Sequence, residues 1–232
     1  AHRKKMRQHV GAWSSAIVGI SLLNSLLIAY VAIEHLPFID FRVYKIGNNI
    51  RQLRKAQAPC RYEYVLEKDG KQFIFEQYPS DTSYRFKEMR LLNEKECSPK
   101  ITDYYVSGPD GTNYTEESLT GKKLFVIVHR VEKTEKSSFE KIKKLIEELA
   151  STDITVVVLT ADAVNFEDFR RQVGLEVPYY IVDGVVLKTM MRSDPGLMYV
   201  EDGTVKGKWH YNDVPEGIKI KNNSFEHKDL FD

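Results

Sequence analysis

Cysteine is almost missing from this chain: 232 residues hold two, Cys60 and Cys97. A disulfide-dense scaffold, a CxxC redox pair and a cysteine-rich zinc site are excluded together. A surplus of either charge is missing as well. With 34 Lys+Arg against 33 Asp+Glu, nothing global draws the chain to nucleic acid, and no nucleic-acid partner is expected. The histidines His2, His9, His35, His129, His210 and His227 show no ligand spacing, so neither a metal nor another cofactor is expected. His129 and His210 read as residues that satisfy strand-end hydrogen bonds. What is present is 42% apolar and 29% charged residues, enough for one good-sized core or two small ones.

The apolar residues are unevenly spread. Gly11 to Ile33, GAWSSAIVGISLLNSLLIAYVAI, carries no charge. As a helix it would span roughly 35 Å, enough for a bilayer core of about 30 Å. Trp13 and Tyr30 sit where an aromatic belt would place them. A secretory signal fits less well, being shorter and needing a small-residue cleavage site that does not precede His35-Leu36-Pro37. Arg3, Lys4, Lys5 and Arg7 precede the run and only Arg42 is basic in the ten residues after it, which places the N-terminal end in the cytoplasm. Ser14, Val18, Ser21, Ser25, Ile28 and Ala32 form one helical stripe with Asn24 beside it. Ser14, Ser21, Asn24 and Ser25 are therefore the candidate packing residues toward partner helices, in addition to the lipid itself. A chain that opens on Ala1 and a basic RKKMR run reads as the tail of a longer membrane protein.

After the connector HLPFIDFRVYKIGNNI, Arg61–Glu67 and Lys71–Gln77 alternate around Asp69-Gly70, a hairpin signal, and Ser83–Leu92 offers a third strand. From Ile101 the pattern turns regular. LFVIV (Leu124–Val128) predicts a strand. A helix follows, with Phe139, Ile142, Leu145, Ile146 and Leu149 on its apolar face and a capping-box spacing at Ser137 and Glu140. ITVVVL (Ile154–Leu159) reads as an interior parallel strand completing a βαβ unit. Phe166, Phe169 and Val173 mark a second helix that Gly174 ends. PYYIVD, a short helix VLKTMMR, Pro195 and two strands about the Asp202-Gly203 turn close an α/β domain.

Over residues 98–211 this order resembles the thioredoxin superfamily, in its membrane-tethered thiol-disulfide oxidoreductase and peroxiredoxin-like branch. The carriers are ITDYYVSGPDGTNYTEESLTGKKLFVIV, the βαβ unit and DPGLMYVEDGTVKGKW, with Pro195 where the family has its cis-proline. The whole chain resembles the C-terminal part of bacterial DoxX-like membrane proteins, through HLPFIDFRVYKIGNNI and LKTMMRSDPGL. The resemblance implies a thioredoxin-like fold with a small β-rich insert behind one transmembrane helix. The segments are a basic flank at 1–10, the span at 11–33, a connector at 34–50, the insert at 51–97, the thioredoxin-like domain at 98–211 and a polar tail at 212–232.

Family activity needs a thiol where the first core strand feeds the helix, because the helix N-terminus favours the thiolate. Here that turn reads HRVEKTEKSSFEK, without one. Ser137 and Ser138 read as capping residues. No catalytic residue is assigned. By resemblance, Pro195, Asp194, His129 and Tyr180 are candidates for a peptide or ligand groove, although the tyrosines also suit sheet packing. If the domain lies outside the cytoplasm, Cys60 and Cys97 are permitted to pair; otherwise they are two structural thiols. Asn113-Tyr114-Thr115 and Asn222-Asn223-Ser224 match the glycosylation sequon. The expected function is a redox-inactive accessory module of a bacterial inner-membrane complex, with its C-terminal domain in the periplasm. The alternative is a docking domain of a DoxX-like, quinone-linked oxidoreductase whose catalytic helices lie upstream.

Overall fold

The computed structural model describes residues 2–215, 220–221 and 224–225, with side chains from 13 to 215. Asn222, Asn223, His227 and most of the polar tail lie outside the described residues, as do the side chains of His2 and His9.

Helix α1 runs from His2 to Glu34, longer than the uncharged run because Arg, Lys, Met and Gln before it are good helix formers. Trp13–Glu34 is long and apolar enough to cross a membrane, and that window has no side chain buried against the protein. The connector then enters the core. Tyr44 and Ile50 are fully buried, and residues 47–49 pair along the outer edge of the last sheet strand: the Gly47 amide donates to the Val205 carbonyl at 2.8 Å and the Val205 amide to that of Asn48 at 2.9 Å.

A short helix α2 (Ile50–Leu53) leads to a three-stranded antiparallel sheet of β1 (Tyr62–Lys68), β2 (Lys71–Phe75) and β3 (Arg85–Leu91), in the order β2-β1-β3. The hairpin falls at Asp69-Gly70, both with positive φ (52° and 74°), the left-handed pair that a two-residue type I′ turn requires. Helix α3 (Glu94–Cys97) returns the chain. Cys97 is disulfide-bonded to Cys60 with Cα atoms 4.8 Å apart, so the two structural thiols of the alternative reading are one cystine closing the base of this sheet.

The chain continues through β4 (Val106–Ser107), α4 (Thr115–Ser118), β5 (Lys122–Val128), α5 (Phe139–Leu149), β6 (Ile154–Thr160), α6 (Phe166–Val173), β7 (Tyr179–Val182), α7 (Gly184–Met190), β8 (Gly196–Glu201) and β9 (Thr204–His210), with an antiparallel pair of two-residue strands at Ile220–Lys221 and Ser224–Phe225 beyond them. Strands β4 to β9 build a six-stranded sheet ordered β4-β7-β6-β5-β8-β9, with β5, β6 and β7 parallel and β8 and β9 antiparallel to their neighbours. Alternation along β5 divides the core. Leu124, Val126 and Val128 face α5 and α6, while Phe125 and Ile127 face α7, Tyr44 and Ile50. This is the thioredoxin-like fold, set by strand order and by the parallel crossover that α5 supplies.

Some local details differ from expectation. Ser137 and Glu140 form no capping box. A 3₁₀ turn at Lys136–Ser138 precedes α5, and the Glu135 carboxylate accepts from both the amide (3.1 Å) and the hydroxyl (2.8 Å) of Ser137. Helix α7 starts at Gly184, because Asp183 caps it by accepting from the Val185 amide at 2.7 Å. Gly174 ends α6 with φ 65°, as expected.

Candidate functional site

The carboxyl ends of the parallel strands, where open α/β sheets place their ligands, carry the candidate groove. The Asp194-Pro195 bond is cis, at the position expected for the family's cis-proline. Asp194 joins this loop to the end of β5. Its carboxylate accepts from the His129 amide at 3.0 Å and the Arg130 amide at 3.3 Å, and its carbonyl accepts from the Glu135 amide at 3.0 Å. On the other side, the Ser193 hydroxyl donates to the Pro195 carbonyl and accepts from the Tyr211 amide. A Cβ at Gly196 would run into the Met191 side chain and press on Ser193.

The His129 ring is 3.8 Å from Asp194 through Nδ1, and its buried Nε2 has no hydrogen-bond partner. Burial lowers its pKa, against the pull of Asp194. His210 accepts from the Asn212 amide at 3.2 Å, and burial lowers its pKa too.

Asp194, Pro195 and His129 thus come together, and Tyr180 does not join them. Tyr180 stacks on Tyr114, ring centroids 4.6 Å apart, against the α7-side core. Beside His129 opens a cavity of about 320 Å³ lined by Arg130, Ala161, Asp162, Gly184 and Lys188. None of these five stood out in the sequence. All follow the ends of β5, β6 or β7 or lie on α7, so the rule for carboxyl strand ends would have found them. A hollow of about 560 Å³ before β7, lined by Arg170, Gly174 and Pro178 among others, lies at the opposite end of the sheet.

The turn from 129 to 138, where the resemblance in the sequence would expect a thiol, joins β5 to α5. It offers Lys133, Thr134, Glu135 and Lys136, and the buried Thr134 hydroxyl is unpartnered. Cys60 and Cys97 are bonded to each other beside the three-stranded sheet. Among the described residues no cluster of His, Cys, Asp or Glu could hold a metal ion.

No protein-family model matches the chain, and no curated protein does. Solved structures do. The C-terminal domain of a Bacteroides thetaiotaomicron protein assigned as a thiol-disulfide oxidoreductase is 13% identical, with 53% of this chain and 91% of that chain covered, at a TM-score of 0.39. A secreted disulfide oxidoreductase from Mycobacterium tuberculosis is 17% identical, covering 44% and 80%, at 0.35. StoA from Bacillus subtilis is 12% identical, covering 45% and 84%, at 0.36. Strand order and the crossover, rather than these likenesses, establish the fold.

The groove end of the sheet is also the end to which α1 is attached. Gly196 pairs with His210, and the turn just after His210 holds the exit of α1. His35 Nδ1 lies 2.7 Å from Asp213, and the Asn212 amide group donates to the carbonyl and carboxylate of Glu34 at 3.0 and 2.8 Å. In the helix itself, the Ser25 hydroxyl donates back to the Ser21 carbonyl at 2.9 Å.

Proposed function

We propose that the protein is a membrane-anchored thioredoxin-like module without thiol chemistry, serving as an accessory or interaction domain of a bacterial inner-membrane complex. One observation carries this reading: the thiol-free turn and the cis-proline loop form the sheet end to which the apolar helix is attached. A partner segment lying against Pro195, Asp194 and His129 is then held at the membrane surface, beside whatever helices pack on Ser14, Ser21, Asn24 and Ser25. The Cys60–Cys97 bond supports placing the soluble part in the periplasm, since disulfides persist in oxidising compartments. The same membrane-side placement favours a second reading, a docking domain for a DoxX-like, quinone-linked oxidoreductase whose catalytic helices lie upstream.

Replacing Ser14, Ser21, Asn24 and Ser25 together by Leu is expected to weaken copurification of membrane partners while insertion persists. Unchanged complex size in mild detergent reduces the helix to a plain anchor. Alkaline phosphatase fused after residue 60 is expected to be active in a bacterial host; an inactive fusion reverses the orientation.

A further inference from the structure

The connector exposes a surface that a water-facing loop would not. Phe38, Ile39 and Phe41 are 85%, 67% and 90% exposed, only a few residues past the end of α1. Beside them is a cavity of about 220 Å³ with an apolar wall from Leu36, Pro37 and Phe38 and a charged wall from Asp40, Arg42, Lys45 and Lys208. Three cations face one carboxylate there. Asp40 is engaged on both sides, 2.9 Å from Arg42 Nε and 2.7 Å from Lys208 Nζ, and the Lys208 side chain is only 3% exposed. Lys45 stands exposed at the mouth, and the cavity keeps a surplus of positive charge.

Position decides what this surface meets. As a span, Trp13–Glu34 covers about 33 Å, close to the hydrocarbon thickness, and the headgroup layer beyond it is roughly 5–7 Å deep. At no more than about 3.6 Å per residue, Phe38 stays within about 14 Å of Glu34 and Phe41 within about 25 Å, so all three exposed apolar side chains are in reach of that layer. Aromatic side chains are favoured in it, and cations there meet lipid phosphates. We propose that the connector is a second membrane contact: Phe38, Ile39 and Phe41 enter the interfacial layer, and the adjoining cavity takes the phosphate headgroup of an anionic phospholipid from the same leaflet. This rests on reading α1 as a membrane span. The contact fixes the tilt of the soluble part against the bilayer. Arg42 ties the connector to the groove by donating to the Lys188 carbonyl at 3.3 Å, and Lys188 lines the groove cavity.

The test uses the full chain in nanodiscs of phosphatidylcholine with and without phosphatidylglycerol. A fluorophore on Phe41→Cys is expected to be quenched by lipids carrying a headgroup nitroxide. Native mass spectrometry is expected to find phosphatidylglycerol retained in preference to phosphatidylcholine, and Lys45→Ala to lower that retention about fivefold. Lys208→Met is expected to lower it further, and Lys45→Ala, a surface change, keeps the test valid if Lys208→Met fails to fold. Equal retention of the two lipids, equal retention in wild type and Lys45→Ala, or displacement of the lipid by inorganic phosphate overturns the lipid site. Absence of the chain from carbonate-washed membranes would sink the span itself, whereas integration without quenching at residue 41 overturns this inference alone.

Discussion

The three-stranded and six-stranded sheets of this protein are held by different means. In the six-stranded sheet, Leu124 through Val128 are wholly buried, because helices or connector cover both faces. In the three-stranded sheet every residue of β3 is exposed, and only Val65 and Leu66 of β1 are buried. Neither of those two belongs to the core clusters of the larger sheet. Its apolar face relies on ring contacts such as Tyr64–Tyr78 at 5.4 Å and Phe75–Tyr84 at 5.1 Å, and on the cystine at its base. Burial holds one sheet and a covalent staple holds the other, as expected for a few strands too small for a core of their own.

Removing the staple should produce the largest effect. The bond spans 37 residues, and chain entropy puts the loss in Cys60→Ser, Cys97→Ser at about 4 kcal/mol. Hydrogen exchange should show the loss over 62–91 and unchanged protection in β5, β6 and β8; equal loss in both sheets would make them one cooperative unit. Ile127→Ala, cutting into the α7-side core, should cost about 3 kcal/mol in denaturant unfolding and act on the large sheet first.

Asp40→Asn should cost on the order of 2 kcal/mol at neutral pH, less than a fully buried pair because Asp40 keeps some contact with water. Burial alone would raise the Asp40 pKa, but hydrogen bonds from Arg42 and Lys208 hold it well below the usual carboxylate range. A group so depressed stabilises the fold above its unfolded value, and that contribution fades as pH falls below about 3.8. The variant and the wild type should therefore converge in acid, and a difference independent of pH would show that the charge plays no part. The smallest change is Thr134→Val, which removes a buried unpartnered hydroxyl and should raise stability by about 1 kcal/mol.

Much of this architecture was legible in the sequence because it rests on local signals. Asp69-Gly70 and Asp202-Gly203 announce type I′ hairpins, Gly174 a helix end, and the β-branched run at 154–159 a strand covered on both sides. What stayed hidden depends on distant partners. No pattern says that Tyr44 and Ile50 of a Pro- and Gly-containing connector belong to the core, since their burial comes from pairing with a strand more than 150 residues later. Tyr180 was open between the groove and sheet packing, because residue type does not say which neighbour a ring meets, and its ring stacks on Tyr114. The Cys60–Cys97 pairing was open because spacing carries no distance. The capping box at Ser137 failed because Glu135, two residues earlier, reached the same amide first.

Thiol turnover tests the central claim most directly. The full chain in mild detergent, assayed for insulin reduction with dithiothreitol and for peroxide consumption, is expected to add nothing to the reagent alone. The Cys60→Ser, Cys97→Ser variant is expected to behave identically, because no thiol lies in the turn beside Pro195. Turnover in the wild type that disappears in that variant would contradict the account and make one of these two cysteines a nucleophile.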